Sequence, residues 1–205
     1  MAEDSSVLRG LVELDETYAG APPRQRAKPE REDDDRDPPP DNPKGRGTMI
    51  GNADHPLVLV AAERGGRIDA QVIATHGKEA IREALQDRIA PEAVVITDGL
   101  PAYQHIGETQ THLSVNHSAK QYARTDEKSG IRAHTNTVEC FNSHLKRAVI
   151  GVFHQISAKH LARYTVEAAF RWNRRGIDTA DRLSALVRQG VGRLLPFRQL
   201  VGIAA

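Results

Sequence analysis

The chain has 205 residues, of which 39% are hydrophobic and 27% charged, and its formal net charge is +1. This composition is that of a globular protein and excludes a collagenous or wholly disordered chain. The single cysteine, Cys140, excludes an internal disulfide and a paired-cysteine zinc ribbon, and it favours a reducing cytoplasm. No apolar run approaches the roughly 20 residues that span a bilayer, and the acidic N-terminus is unlike a signal peptide. We therefore expect a cytoplasmic protein with no membrane partner.

Charge is distributed unevenly along the chain. Residues 126–205 contain 13 Lys and Arg against 6 Asp and Glu, so the preceding residues are acidic overall. This asymmetry indicates either a polyanionic partner for the C-terminal half or simply a solvated charged face.

The first half of the chain predicts three strands and one insertion. Residues 11–18 (LVELDETY) alternate apolar and polar side chains, as a half-buried strand does. Residues 22–47 contain seven of the eleven prolines and a dense mixed-charge run. Because they cannot bury enough apolar area to offset chain entropy, we predict a disordered insertion there. Residues 56–63 and 68–74 are apolar strands, joined by a Gly-Gly hairpin turn.

The remaining elements alternate between helices and short strands. Apolar spacing predicts a helix over 78–89, a strand over 93–97, a short helix over 101–106 and a strand over 113–116. Residues 122–132 are polar and predict a loop. Helices are predicted over 136–153, 157–174 and 181–195, with Ser157 as a capping residue. This order predicts an α/β domain with a mixed central sheet flanked by helices.

Three carboxylates stand out by their positions in these elements. Asp15 lies inside the first strand, Asp98 at the C-terminal end of an apolar strand, and Glu139 near the start of a long helix. Sites in α/β folds collect at the carboxyl ends of strands, and converging carboxylates favour hard divalent cations. Each carboxylate on its own is equally compatible with a surface role. Strand alternation places Glu13 on the face of Asp15 and directs Glu16 away, so we do not expect Glu16 to bind the same ion.

The helix that carries Glu139 has two stripes. Val138, Phe141, Leu145, Val149 and Val152 form a continuous apolar stripe. Beside it lies a polar stripe that consists of Asn136, Glu139, Ser143 and Lys146. An active-site helix at the edge of a crevice would show this pattern, and so would an ordinary amphipathic helix.

Six segments together resemble bacterial insertion-sequence transposases of the ISXO-like group. The resemblance runs from about residue 12 to residue 175 and is interrupted by the Pro-rich insertion. The ordered set is far more specific than any single motif. Its members are VELDETYAG (12–20), VITDGLPAY (95–103), VNHSAKQY (115–122), HTNTVECFNSHLKR (134–147), GVFHQISAKHLARY (151–164) and FRWNRR (170–175).

The resemblance implies a DDE recombinase with a ribonuclease-H-like core. It makes Asp15, Asp98 and Glu139 the catalytic, metal-binding acids, with Asn136 as a reserve for the third position and Lys146 as the basic residue that follows it. The implied cofactors are two divalent ions, Mg(II) or Mn(II), which would support DNA strand cleavage and strand transfer. The implied partners are transposon ends and target DNA, together with further copies of the chain in a synaptic complex. The implied location is the bacterial cytoplasm, at the nucleoid.

Basic side chains in the C-terminal half are candidates for DNA contact. Each is equally compatible with a solvated surface position. His117 either orients a phosphate or a ligand, or is a hydrogen-bonded structural residue. The basic candidates are Lys146, Arg147, Lys159, Arg163, Arg174 and Arg175.

We divide the chain into an N-terminal tail (1–10), a catalytic domain (11–175) and a C-terminal helical tail (176–205). Four features depart from the resemblance. Ala21 stands where a second glycine is common, and Asn142 where an aromatic residue is common. The Pro-rich insertion is longer and more acidic than the resemblance leads one to expect, and we expect no upstream region that would bind the ends of an element. Two alternatives therefore stay open: a silent remnant that only binds DNA or a partner transposase, and a related nuclease such as a resolvase.

Overall fold

A computed structural model of the chain describes residues 7–19, 56–154, 156–193 and 196; the predicted insertion at 22–47 lies outside them. The core is a five-stranded sheet in the order β3-β2-β1-β4-β5. Strand β2 runs antiparallel to β1 and β3, whereas β1, β4 and β5 are mutually parallel. This order and these directions are those of the ribonuclease-H-like fold, and the predicted fold class is confirmed. The strands are β1 (Leu11–Tyr18), β2 (Leu57–Glu63), β3 (Ile68–Ile73), β4 (Val94–Thr97) and β5 (Thr111–Ser114).

Helices cover both faces of the sheet. Helix α1 (Lys78–Leu85) and the 3₁₀ helix Pro101–Glu108 pack on one face, where Ile81 and Tyr103 join the first apolar cluster. Helices α2 (Asn136–Ala148) and α3 (Ala158–Asn173) pack on the other. Because successive side chains of a strand point to opposite faces, β2 supplies alternate residues to each cluster.

Several elements differ in their bounds from the sequence-based prediction, among them β5 and α4, and two of the differences have a local cause. The predicted loop at 122–132 contains a hairpin of β6 (Ala123–Thr125) and β7 (Arg132–His134). Strands of three residues are too short to display alternation, so no pattern in the sequence predicted them. Helix α1 ends at Leu85 and not at Ile89, because Asp87 adopts a left-handed conformation (φ 58°) and Ile89 instead pairs with Leu8.

The ends of the described chain contribute unequally to the core. Leu8, in the segment assigned to an N-terminal tail, is 2% exposed and exchanges backbone hydrogen bonds with Arg88 and Ala90. At the other end, α4 (Thr179–Gly190) has no buried residue. Helix α2 continues into one π-helical turn over Val149–Phe153 before α3 begins.

Candidate active site

Asp15 and Asp98 lie level with each other on neighbouring parallel strands. The register pairs Leu11 with Val94 and Glu13 with Ile96, so Asp15 is level with Asp98, the residue that directly follows β4. Asp15 points to the face that α2 covers, where Asn142 contacts it, and the charge of Asp98 acts on Asp15 from the end of β4. The sequence placed each acid on a strand, and the pairing of β1 with β4 brings the two acids together.

Burial and neighbouring charge make Asp15 difficult to ionise. Burial raises the pKa of Asp15 to about 7, and the charges of Glu16 and Asp98 add to the effect. A hydrogen bond from Asn142 acts in the opposite direction: its Nδ2 donates to Asp15 Oδ2 at 2.8 Å. Asp98 accepts a hydrogen bond from the backbone N of Leu100 at 3.0 Å, which fixes its carboxylate at the end of β4.

Glu16 occupies the opposite face of β1, as strand alternation predicts. The buried hydroxyl of Tyr103 donates a hydrogen bond to it, and His76 Nδ1 lies 3.3 Å from its Oε1. Burial raises the pKa of Glu16, and the charge of Asp98 raises it further. The charge of Glu16 in turn raises the pKa of Asp15, although Glu16 faces away from it.

Glu139 lies at the start of α2, with a different set of partners. Its Oε1 accepts a hydrogen bond from Thr135 Oγ1 at 2.6 Å and lies 3.7 Å from His117 Nε2. Its side chain is 47% exposed. Within the described ranges, no three His, Cys, Asp or Glu side chains converge on one metal position. Asn136 is exposed in the same helical turn, where its backbone N donates to His134 Nδ1.

Helix α2 nevertheless brings Glu139 towards the acid pair. Asn142, which contacts Asp15, is three residues after Glu139, and residues with this spacing are neighbours on one side of a helix. Glu139 therefore lies about one turn from a side chain that touches Asp15.

Glu13 is a residue whose role the sequence analysis missed. It is completely buried and accepts hydrogen bonds from the backbone N of Thr137 at 2.7 Å and of Val138 at 3.1 Å. Arg64 Nε donates to it at 3.0 Å, and His134 Nδ1 lies 3.3 Å away. A carboxylate at a helix N-terminus satisfies backbone donors that have no partner within the helix. The one signal for this role in the sequence was that Glu13 is a charged residue on the same face of β1 as Asp15.

The candidate DNA-binding residues fall into two groups. Lys146 and Arg147 are exposed on α2, and Lys159 and Arg163 are exposed on α3. The other two residues stack on aromatic rings. The guanidinium carbon of Arg174 lies 4.2 Å from the ring centroid of Phe170, and that of Arg175 lies 4.6 Å from the centroid of Trp172.

The family of this chain follows from its similarity to known proteins. A family model described as the ISXO2-like transposase domain matches residues 7–173. The chain belongs to this family. Among solved structures, the domain is similar to the catalytic core domain of BIV integrase, with 11% sequence identity and a TM-score of 0.46. That match covers 87% of this chain and 97% of the integrase chain. No curated protein matches the sequence.

The acid pair of this ISXO2-like transposase domain fits a divalent cation. Hard cations prefer carboxylate and carbonyl oxygens. Asp15 on β1 and Asp98 at the carboxyl end of β4 present two carboxylates on neighbouring strands. The charge of Asp98 raises the cost of ionising Asp15, and a cation beside the two carboxylates would offset that cost. The buried Oδ1 of Asn142 has no hydrogen-bond partner among the described residues, which leaves a further oxygen beside the pair.

Among the described helices of the transposase domain, none is long and apolar enough to cross a membrane.

Proposed function

We propose that this chain is the catalytic domain of a DNA transposase, which cleaves DNA strands and joins a freed 3′-hydroxyl to a target strand. The observation that carries the proposal is that β1 pairs with β4, which brings Asp15 close to Asp98 in a domain of this family. We place its activity in the bacterial cytoplasm, at the nucleoid, where its DNA substrates lie.

Each of the three acids has a separate part in the proposed site. Asp15 and Asp98 would hold divalent cations, Mg(II) or Mn(II), and Glu139 would complete the set from the first turns of α2. Such ions, when bound, would supply activation of the attacking hydroxyl and stabilisation of the leaving oxygen in an in-line displacement. Asn136 is the alternative to Glu139 as the third ligand, because it is exposed in the same turn.

Basic residues on α2 and α3 position the DNA backbone. Lys146, Arg147, Lys159 and Arg163 are exposed along these helices and would contact phosphates without reading the sequence. His117, beside Glu139, would orient a phosphate at the site. Arg174 and Arg175 extend the basic surface at the end of α3. Pairing of two transposon ends requires at least two copies of the chain.

A plasmid nicking assay tests the proposed chemistry. Supercoiled plasmid is incubated with the purified protein and Mn(II) or Mg(II), beside Asp98→Asn and the matched control Asp69→Asn. Asp69 is an acid on β3 that pairs with Arg88. We expect metal-dependent nicking by the wild type and Asp69→Asn, and none by Asp98→Asn. Equal products from folded wild type and Asp98→Asn would favour the remnant that only binds DNA or a partner transposase.

Joining assays separate a transposase from a nuclease. A labelled duplex that carries a 3′-hydroxyl transposon end is mixed with target plasmid, and the covalently joined product is quantified. Joining that depends on Asp15 and Asp98 supports the transposase. Hydrolysis without joining would favour a related nuclease such as a resolvase.

A further inference from the structure

The side-chain amide of Asn142 is buried and makes one hydrogen bond to the described residues. It is 5% exposed on α2, between the core residues Phe141 and Leu145. Its Nδ2 donates to Asp15 Oδ2 at 2.8 Å, whereas its Oδ1 has no hydrogen-bond partner among the described residues. A buried carbonyl without a partner costs stability, and an apolar side chain at this position would avoid that cost. The fold alone therefore does not account for the amide.

The contact of Asn142 fixes one oxygen of the Asp15 carboxylate. Asp15 is half-buried on β1, and Asp98 follows β4, the parallel strand beside it. The amide hydrogen of Asn142 binds Asp15 Oδ2 and thereby restricts the rotation of the carboxylate. Residues that hydrogen-bond a metal ligand orient it and commonly set its affinity for the ion.

We propose that Asn142 is a positioning residue that orients the Asp15 carboxylate for divalent-cation binding. This inference depends on the proposed function. It assigns α2 a second contribution to the site, independent of Glu139, and it makes the hydrogen bond between α2 and β1 part of metal binding. An aromatic residue at this position, as the resemblance leads one to expect, has no amide hydrogen to donate to Asp15.

The test is Mn²⁺ binding measured by titration calorimetry, together with thermal unfolding with and without Mn²⁺. Asn142→Leu removes the hydrogen bond and approximately retains the side-chain volume. We expect its metal-free melting temperature to equal or exceed that of the wild type, and its Mn²⁺ dissociation constant to rise about 10- to 100-fold. Asn142→Asp places a third carboxylate against Asp15. We expect it to unfold at a lower temperature without metal and to gain more than the wild type from Mn²⁺.

Asn173→Leu is the matched control, because Asn173 makes two hydrogen bonds to the backbone of Ile68, both remote from the acids. It should lower the melting temperature and leave the Mn²⁺ affinity unchanged. If Asn142→Leu behaves like this control, Asn142 is structural and the inference is overturned. If Asn142→Leu does not fold, an equal Mn²⁺ effect on Asn142→Asp and the wild type overturns it as well. If wild-type binding is absent, or is the same in Asp98→Asn, the metal-dependent function fails, and the inference fails with it.

Discussion

Glu13 Oε2 accepts a hydrogen bond from the backbone N of Val138 at 3.1 Å, which ties the strand carrying Asp15 to the start of the helix carrying Glu139. The two acids on this face of β1 have different roles. Glu13 binds the N-terminus of α2 from inside the core, whereas Asp15 lies near Asp98, at the carboxyl end of β4. The position of α2, and of the side chains that it presents to the site, depends on Glu13.

Replacing Glu13 should strongly destabilise the domain. Glu13→Gln removes the negative charge that Arg64 and the helix N-terminus face, so we expect a loss of about 3–5 kcal/mol of unfolding free energy. Urea denaturation gives the value. The matched control is Glu92→Gln, whose pair with Arg9 is exposed (66% and 64%) and contributes about 0–1 kcal/mol. Similar losses for the two variants would contradict the anchoring role of Glu13.

Replacing Asp15 should stabilise the metal-free domain at alkaline pH. Burial raises the pKa of Asp15 in the folded protein to about 7. The folded state therefore becomes less stable as pH rises from about 4 to about 7, because the half-buried carboxylate must ionise there. Asp15→Asn removes that charge, and we expect about 1–3 kcal/mol of added stability at pH 8 in EDTA. At pH 4 the two proteins should differ little.

The control for this experiment is Asp69→Asn, which breaks a pair with Arg88 and should not stabilise the protein at pH 8. Thermal unfolding across this pH range measures both variants. A lower melting temperature for Asp15→Asn at pH 8 would show that the Asp15 carboxylate stabilises the folded domain, contrary to this prediction.

His112 should make the domain less stable in mild acid. Burial lowers the pKa of His112, and the charge of His105 lowers it further, so the folded state disfavours the proton that the unfolded state accepts. Stability is therefore intact above the ordinary value of about 6.5 and declines as pH falls below it. Thr97 Oγ1 lies 2.8 Å from His112 Nε2 and donates to the backbone O of Asp98 at 2.7 Å, so His112 is linked to the end of β4 beside Asp98.

His112→Gln should flatten the decline between pH 7.5 and 5.5, as measured by thermal unfolding. Protonation of Asp15 acts in the opposite direction over part of this range, so the difference between wild type and variant at each pH isolates His112. Burial also lowers the pKa of His134, whose contribution remains in both proteins. Parallel profiles for wild type and His112→Gln would exclude His112 as a source of the pH dependence.

The exposed cations of α2 should set part of the salt dependence of DNA binding. Each phosphate contact that is lost lowers the slope of log K against log salt by about 0.9. We expect Lys146→Ala/Arg147→Ala to bind DNA more weakly and with a slope smaller by about 2, measured by fluorescence anisotropy. Arg9→Ala, which removes an exposed arginine before β1, should leave the slope unchanged. An unchanged slope in the double variant would place these residues on a solvated face.

Local patterns predicted most of the long elements. Alternation over eight residues predicted β1 with its observed bounds, and apolar spacing predicted the helical segment that begins at Asn136. The hairpin of β6 and β7 was missed because its strands are three residues long. The early end of α1 was missed because it depends on Asp87 and on pairing between Ile89 and Leu8, which is 81 residues away along the chain.

Local periodicity was enough to predict which side chains share a face, since the periods of strands and helices are local properties. Strand alternation therefore placed Glu13 and Asp15 together and directed Glu16 away. Which distant residues pack against each face depends on the tertiary structure. Pairing of β1 with β4 set Asp15 level with Asp98, and packing of α2 brought Asn142, 127 residues from Asp15 in the chain, within 2.8 Å of it. Such contacts depend on strand register and helix packing between distant segments, and no local pattern specifies them.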